Sequence, residues 1–300
     1  MRFLAIGECM AEFAPSSLPG DYRLGFAGDT YNTAWYLARL RPGRSVSYFT
    51  AIGPDPISQM MREALAANGI DTTWIRTVPD RTVGLYLISL KDGERSFAYW
   101  RGQSAARLLA DDAKAIAKAV SDAELVYFSG ITLAILEPPG REVLLNVLRH
   151  ARSVGKSVAF DPNLRPQLWA DTAEMVRFVA LGAAVSNIVL PSFADEARWF
   201  ADANPAATAH RYAAAGASTV VVKNGAAPVY YRQGNISGTM PVPSVTSVVD
   251  TTAAGDSFNA AILDGIRENA PLKASIDRAC RLAAQVVAGK GALVTFDMDD

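Results

Sequence analysis

An aspartate at the start of a helix rich in small residues carries the clearest chemistry in this chain of 300 residues. The segment Val249-Asp250-Thr251-Thr252-Ala253-Ala254-Gly255-Asp256-Ser257-Phe258-Asn259 leads into a stretch where Phe258, Ala261, Ile262, Gly265 and Ile266 recur at helical spacing. That recurrence predicts a helix beginning near Ala254. Small residues at its start leave the first backbone N–H groups open, and the helix dipole adds partial positive charge, which suits a phosphate. Asp256 falls in the first turn, where a carboxylate would repel that phosphate unless it had a task. The task that fits is to take a proton from a hydroxyl attacking the phosphorus while the N–H groups stabilise the developing charge. An aspartate that only complements the helix dipole accounts for the same residue types.

Other chemistries are narrowed by what the chain carries. There is no GxxxxGK[ST] phosphate loop, and no GxGxxG follows the first predicted strand. Two cysteines, Cys9 and Cys280, stand far apart in neither a CxxC nor a zinc spacing, and two histidines, His150 and His210, are too few for a histidine metal site. A reducing, cytoplasmic setting is expected. Lys plus Arg is 29 and Asp plus Glu is 30, a balance that gives no electrostatic case for nucleic acid or an anionic membrane. No apolar run approaches the roughly 18 residues of a membrane span, and the N-terminus reaches Glu8 too soon for a signal peptide.

The elements that must position such a site alternate along the chain. Apolar runs at Phe3–Ile6, Val46–Ile52, Leu125–Phe128, Ser157–Phe160, Ile188–Leu190 and Thr219–Val222 read as strands covered on both faces. Helix-length stretches lie between them, among them Ile57–Asn68, Asp111–Ser121, Arg141–Val154 and Asp195–Ala201. The expected fold is α/β, with a mainly parallel sheet between helices. Arg81–Leu90 and Arg95–Arg101 break the rhythm as two strands about Lys91-Asp92-Gly93-Glu94, where Asp-Gly signals a hairpin turn. This half-covered hairpin is either a lid over a site or a plain surface hairpin, and it invites pairing with a second copy of the chain.

Asp250-Thr251-Thr252-Ala253-Ala254-Gly255-Asp256-Ser257-Phe258 resembles the D-T-x-G-A-G-D-x-F signature of the ribokinase-like (PfkB) carbohydrate kinases. Ala27-Gly28-Asp29-Thr30-Tyr31-Asn32-Thr33-Ala34 is similar to the family's other signature, and the resemblance extends over nearly the whole chain. Two positions depart from the pattern: Ala27 and Ala253 stand where the family has glycine. The backbone N–H survives both changes. If position 253 needs a positive φ, an alanine there is strained.

The resemblance implies a ribokinase-like α/β/α domain over residues 1–300, with a β lid from about 81–102 and part of about 9–26. It implies ATP and Mg²⁺, and Asp256 as the base beside an anion hole formed by the N–H groups of Ala253, Ala254 and Gly255. Asn163, Lys223 and Gly225 fall where the family holds the nucleotide; Glu196 falls where it holds the metal ion through water, though Phe193 replaces an asparagine of that motif. Gly7-Glu8-Cys9-Met10, Tyr99-Trp100-Arg101 and Asp161-Pro162-Asn163-Leu164-Arg165 are similar to the branch acting on 2-keto-3-deoxygluconate, a sugar acid. For that substrate the resemblance assigns Arg101 and Arg165 to the carboxylate, and the bidentate fit of guanidinium to carboxylate gives the physical reason. Gly28, Asn32, Tyr86 and Tyr99 are expected around the rest of the sugar. A kinase for fructose or another ketose or ribosyl sugar is the nearer alternative, and a non-catalytic sugar- or nucleotide-binding regulator the more distant one.

Overall fold

The computed structural model describes all residues except Ser17, Pro19, Asp92, Gly93 and 298–300. Its strands in chain order are β1 (Phe3–Ile6), β2 (Met10–Pro15), β3 (Tyr22–Ala27), β4 (Val46–Ile52), β5 (Ile75–Thr77), β6 (Leu85–Lys91) and β7 (Glu94–Trp100). They continue as β8 (Leu125–Ser129), β9 (Ser157–Asp161), β10 (Ile188–Val189), β11 (Thr219–Val222), β12 (Val229–Gln233) and β13 (Ile236–Met240). Nine of them form one sheet in the order β13-β12-β11-β10-β9-β8-β1-β4-β5. It is parallel from β11 through β5 and antiparallel only at β12 and β13.

Both faces of its parallel part are buried, which is why those strands read as continuous apolar runs. Alternate residues of one strand feed different cores. Leu4 and Ile6 join Phe128, Phe160 and the helices Pro138–Ser153 and Thr172–Ala184 on one face. Phe3 and Ala5 join Tyr127 and the helices Asp29–Leu40, Ala254–Arg267 and Leu272–Val287 on the other. The result is three layers, as the alternation implies.

Element ends shift by a few residues for local reasons. Asp112 accepts from the N–H groups of Lys114 and Ala115, so the expected helix 111–121 starts at Ala113. Two prolines in its first turn extend the helix expected from Arg141 back to Pro138. The first hairpin strand is shorter than expected, since Thr82 bridges to Ser104 and the ladder begins at Leu85. The Asp-Gly turn lies outside the described residues.

The chain leaves β1 toward β4 on one side and later returns to β8 on the other. Ligands of open α/β sheets sit at such a switch point, beyond the carboxyl ends of the strands. Across that edge lies a second sheet, ordered β3-β2-β6-β7, to which the hairpin contributes half. Met10 of β2, Tyr86 of β6, and Phe97 and Tyr99 of β7 line the cavity between the two sheets, so the second sheet is a lid rather than a detached surface hairpin.

Candidate active site

Two helices begin at the carboxyl edge of the sheet and aim their N-termini at the same cavity. Asp29–Leu40 presents Asp29 and, one turn on, Asn32; Ala254–Arg267 presents Gly255 and Asp256. Gly28 precedes the first of them because space is lacking: a Cβ there would lie 2.2 Å from the backbone carbonyl oxygen of Glu8. Ala253 precedes the second at φ 60° and ψ 10°, in the left-handed region. The strained alanine anticipated from the sequence is therefore present, at a typical cost of about 1–2 kcal/mol.

Three carboxylates meet here, each bonded to a carboxamide from a different element. Asn32 Nδ2 donates to Asp256 at 2.8 Å, Asn163 Nδ2 to Asp29 at 2.8 Å, and Asn259 Nδ2 to Asp161 at 2.6 Å. Only Asp161 also holds an ammonium, Lys223 Nζ at 2.8 Å, which lies 3.1 Å from Asn259 Oδ1 as well. Burial, and then the charge of Asp29, push the Asp256 carboxyl up to about 8; the Asn32 bond and Lys223 only partly offset them. A carboxylate so poised takes up a proton readily near neutral pH.

The cavity under the lid has a volume of about 440 Å³ and contains Gly28, Asn32, Tyr86, Tyr99, Asn163, Arg165, Ala253 and Asp256 on its walls. A second cleft, of about 520 Å³, is apolar, with Val242, Phe258, Cys280 and Val287 among its lining residues beside Gly225 and Ala254. Ser192, Lys223, Thr251 and Gly255 border both cavities, so the two meet at the start of the helix that carries Asp256. Lys223 is close: a Cβ on Gly255 would lie 3.7 Å from its Nζ. The Ala254 N–H turns back to the Thr251 carbonyl at 3.3 Å. The N–H groups of Gly255 and Asp256 lie in the first turn of the helix, which has no carbonyls of its own to bond them.

Two expected residues lie elsewhere. The Arg101 guanidinium does not line the cavity; its Nη2 donates to Glu8, a carboxylate 1% exposed that needs a counter-charge where it stands. Glu196 is buried against Arg211 Nη2 at 2.6 Å and the Tyr212 hydroxyl at 3.0 Å, and burial raises it to about 7. It therefore has no face toward the cavity, whereas Asp195, one position earlier and so about 100° around the helix, lines it. Among the described residues no group of three or more His, Cys, Asp or Glu side chains could hold a metal by itself.

Asp29, Asp161, Asp195 and Asn259 are site residues the sequence reading did not assign. Asp161 ends β9 immediately before Pro162, and Asp29 follows Gly28 at a helix start, positional signals that would have found both. Arg165 is 43% exposed in its side chain, with Asp195 4.0 Å away. The Tyr86 hydroxyl donates to Glu12, while the Tyr99 ring lies 5.7 Å from the Tyr86 ring.

The chain matches the family described as pfkB family carbohydrate kinase over residues 2–297. It is 37% identical over 298 residues to a 2-dehydro-3-deoxygluconokinase of Haemophilus influenzae, an alignment covering 96% of this chain and 94% of that protein. A fructokinase of Rhizobium leguminosarum bv. trifolii is 32% identical over 274 residues, covering 86% of this chain and 79% of that one. Among solved structures, a PfkB protein from Polaromonas sp. JS666 superposes with a TM-score of 0.85 at 26% identity, covering 96% of each chain.

The left-handed alanine yields a stability prediction. Ala253→Gly relieves the Cβ clash but frees the unfolded chain, for a net gain of about 0.5–1 kcal/mol. Calorimetry is expected to find Tm raised by about 1–3 °C. A lower Tm would mean that position 253 is not held in the left-handed region.

Proposed function

We propose that this chain, which belongs to the pfkB family of carbohydrate kinases, phosphorylates the C6 hydroxyl of 2-keto-3-deoxygluconate with ATP, giving 2-keto-3-deoxy-6-phosphogluconate. One observation carries the reading: Asp256 faces the cavity under the lid at its junction with the apolar cleft, so it can reach an alcohol in one and a phosphoryl group in the other. The names of relatives at 35–37% identity support the sugar acid as acceptor.

In this reading the base and ribose of ATP occupy the apolar cleft and the sugar lies beneath Tyr86 and Tyr99. Asp256 accepts the C6 hydroxyl proton as the new O–P bond forms and the bond from the γ-phosphorus to the bridging oxygen breaks, releasing ADP. The Gly255 and Asp256 N–H groups stabilise charge on the transferring group, and Lys223 offsets charge on the nucleotide phosphates. Asn163 orients Asp29 rather than acting alone, and Gly225 borders the nucleotide. Asp161 and Asp195 are oxygen donors suited to Mg²⁺, which needs few protein ligands once it has phosphates and water. Burial raises the Asp195 carboxyl, Arg165 only partly offsets it and the charge of Asp161 adds to it, so a dication would relieve that acid. With that ion bound, further charge on the phosphates is neutralised. Arg165 is the arginine available to the sugar's carboxylate, since its pairing with Asp195 is long and solvent-exposed.

A ketose kinase is the second reading, favoured by the fructokinase relative. A purely binding role fits less well, because a binding module gains nothing from a proton-accepting carboxyl aimed at an anion site. The two cysteines are free and buried, in keeping with a reducing cytoplasm. No helix among the described residues is long and apolar enough to cross a membrane. Trp100, at the end of the outer lid strand, is 61% exposed, which supports pairing of the lid with a second copy.

Three measurements test this. Asp256→Asn is expected to lower kcat about 10³-fold while calorimetric ATP affinity stays within about twofold; retention of parental kcat overturns the mechanism. Because Asp256 must be ionised to act and carries its proton below about 8, kcat/KM should rise with pH and level off above that value; a flat profile from pH 6 to 9 would count against it. A coupled ADP-release assay should find Arg165→Ala about 10–100-fold weaker on the sugar acid and little changed on fructose. Equal losses on both would favour the ketose reading.

A further inference from the structure

The chain crosses between the central sheet and the lid four times, and all four crossings converge on one buried residue. The first runs from β1 to β2 and contains Glu8, which is 2% exposed. Gly28 forms the second, after β3, and a Cβ there would strike the Glu8 carbonyl oxygen at 2.2 Å. Gly84 forms the third, just before β6; a Cβ on it would lie 2.7 Å from Glu8 Oε1 and 3.2 Å from the Arg101 Cβ. Arg101 forms the fourth, just after β7, and its Nη2 donates to Glu8 Oε2. The Ser104 hydroxyl donates to Glu8 Oε1 from the body of the protein, where the following turn buries Ala105 and Ala106. A backbone bond from the Ala11 N–H to the Gly84 carbonyl, at 2.8 Å, joins the start of β2 to the third crossing.

Building on the sugar-kinase reading, we infer that Glu8 is a positioning residue for phosphoryl transfer. Through Arg101 and Ser104 it clamps the lid to the central sheet and so fixes where Tyr86 and Tyr99 meet the acceptor. Tyr86 is two residues beyond Gly84 and Tyr99 two residues before Arg101, so a small rotation at the clamp is delivered directly to both rings. Arg101 stays with Glu8 when substrate binds, since releasing it would strand a buried carboxylate without a counter-charge.

The test uses the full-length protein with Glu8→Gln, Arg101→Gln and the double substitution. Amide hydrogen exchange of the unliganded proteins should quicken about tenfold in β6 and β7 in both single variants, while β1 and β8 to β11 keep parental rates. Steady-state kinetics on 2-keto-3-deoxygluconate should find kcat and KM altered together, as at a hinge. The double variant should be no worse than the poorer single one, a coupling of about threefold or more. Additive losses, or parental exchange in β6 and β7, overturn the clamp. So does an Arg101→Gln variant that loses activity on the acid while Glu8→Gln keeps it, because Arg101 would then be a substrate cation. If the parental protein phosphorylates no sugar acid, the kinase reading fails separately, and exchange in β6 and β7 alone decides the clamp. Should Glu8→Gln not fold, Ser104→Ala removes one bond and is expected to give the same exchange pattern; unchanged exchange there overturns the inference too.

Discussion

The site depends on an imbalance among three neighbouring aspartates. Asp29, Asp161 and Asp256 each receive one carboxamide bond, but of the three only Asp161 receives Lys223. Mutual repulsion in a partly dry cavity must be relieved somewhere, and one of the two groups without a cation yields by holding its proton more tightly. That group is Asp256, whose carboxyl is pushed up to about 8 by burial and by Asp29. The same arrangement aligns Asp256 through Asn32 and keeps Lys223 extended beside Gly255. Moving the ammonium to Asp256 would lower its basicity, and removing Asp29 would lessen the upward push while leaving the larger one from burial.

Such closeness of like charges is possible only because the fold supplies compensation from the backbone. Two helix N-termini point into the cavity, adding partial positive charge where the acids gather. The far ends of the same helices are tied together by a charge of the other sign. Asp264, fully buried on the helix Ala254–Arg267, takes Arg41 just beyond the end of Asp29–Leu40 and Arg278 of Leu272–Val287. Fixing the far ends keeps the near ends in register, so the 2.8 Å bond from Asn32 to Asp256 is set by a clamp at the opposite end of both helices.

The sequence discloses what is local and hides what is long-range. Strands such as Phe3–Ile6, Val46–Ile52 and Thr219–Val222 are legible to the residue because burial on both faces leaves no polar alternation to blur their ends. Asp256 and Lys223 are legible because each sits where an element starts or stops. The amide–carboxylate pairs are not, since they join residues 224, 134 and 98 positions apart and exist only once the end of β9 meets the starts of the two helices. Glu196 illustrates how fine the limit is. The helix begins at Phe193 rather than Asp195, its phase turns Asp195 toward the cavity, and Glu196 goes inward to Arg211. Neighbouring acids on a helix cannot be told apart by type, only by phase.

The two arginines of the sugar-acid motif separate on the same physical grounds. Side-chain chemistry makes Arg101 and Arg165 equivalent, and both lie near the carboxyl edge of the sheet. Their partners differ: Glu8 is 1% exposed in its side chain, whereas Asp195 is 35% exposed and stands 4.0 Å from Arg165. A cation shared with a solvated acid is exchanged for a ligand's carboxylate at little cost, because water takes over the acid left behind. A cation holding a buried acid has no such replacement. Burial of the partner, rather than the arginine itself, therefore decides which guanidinium is free to exchange its acid for another anion and which is held in place.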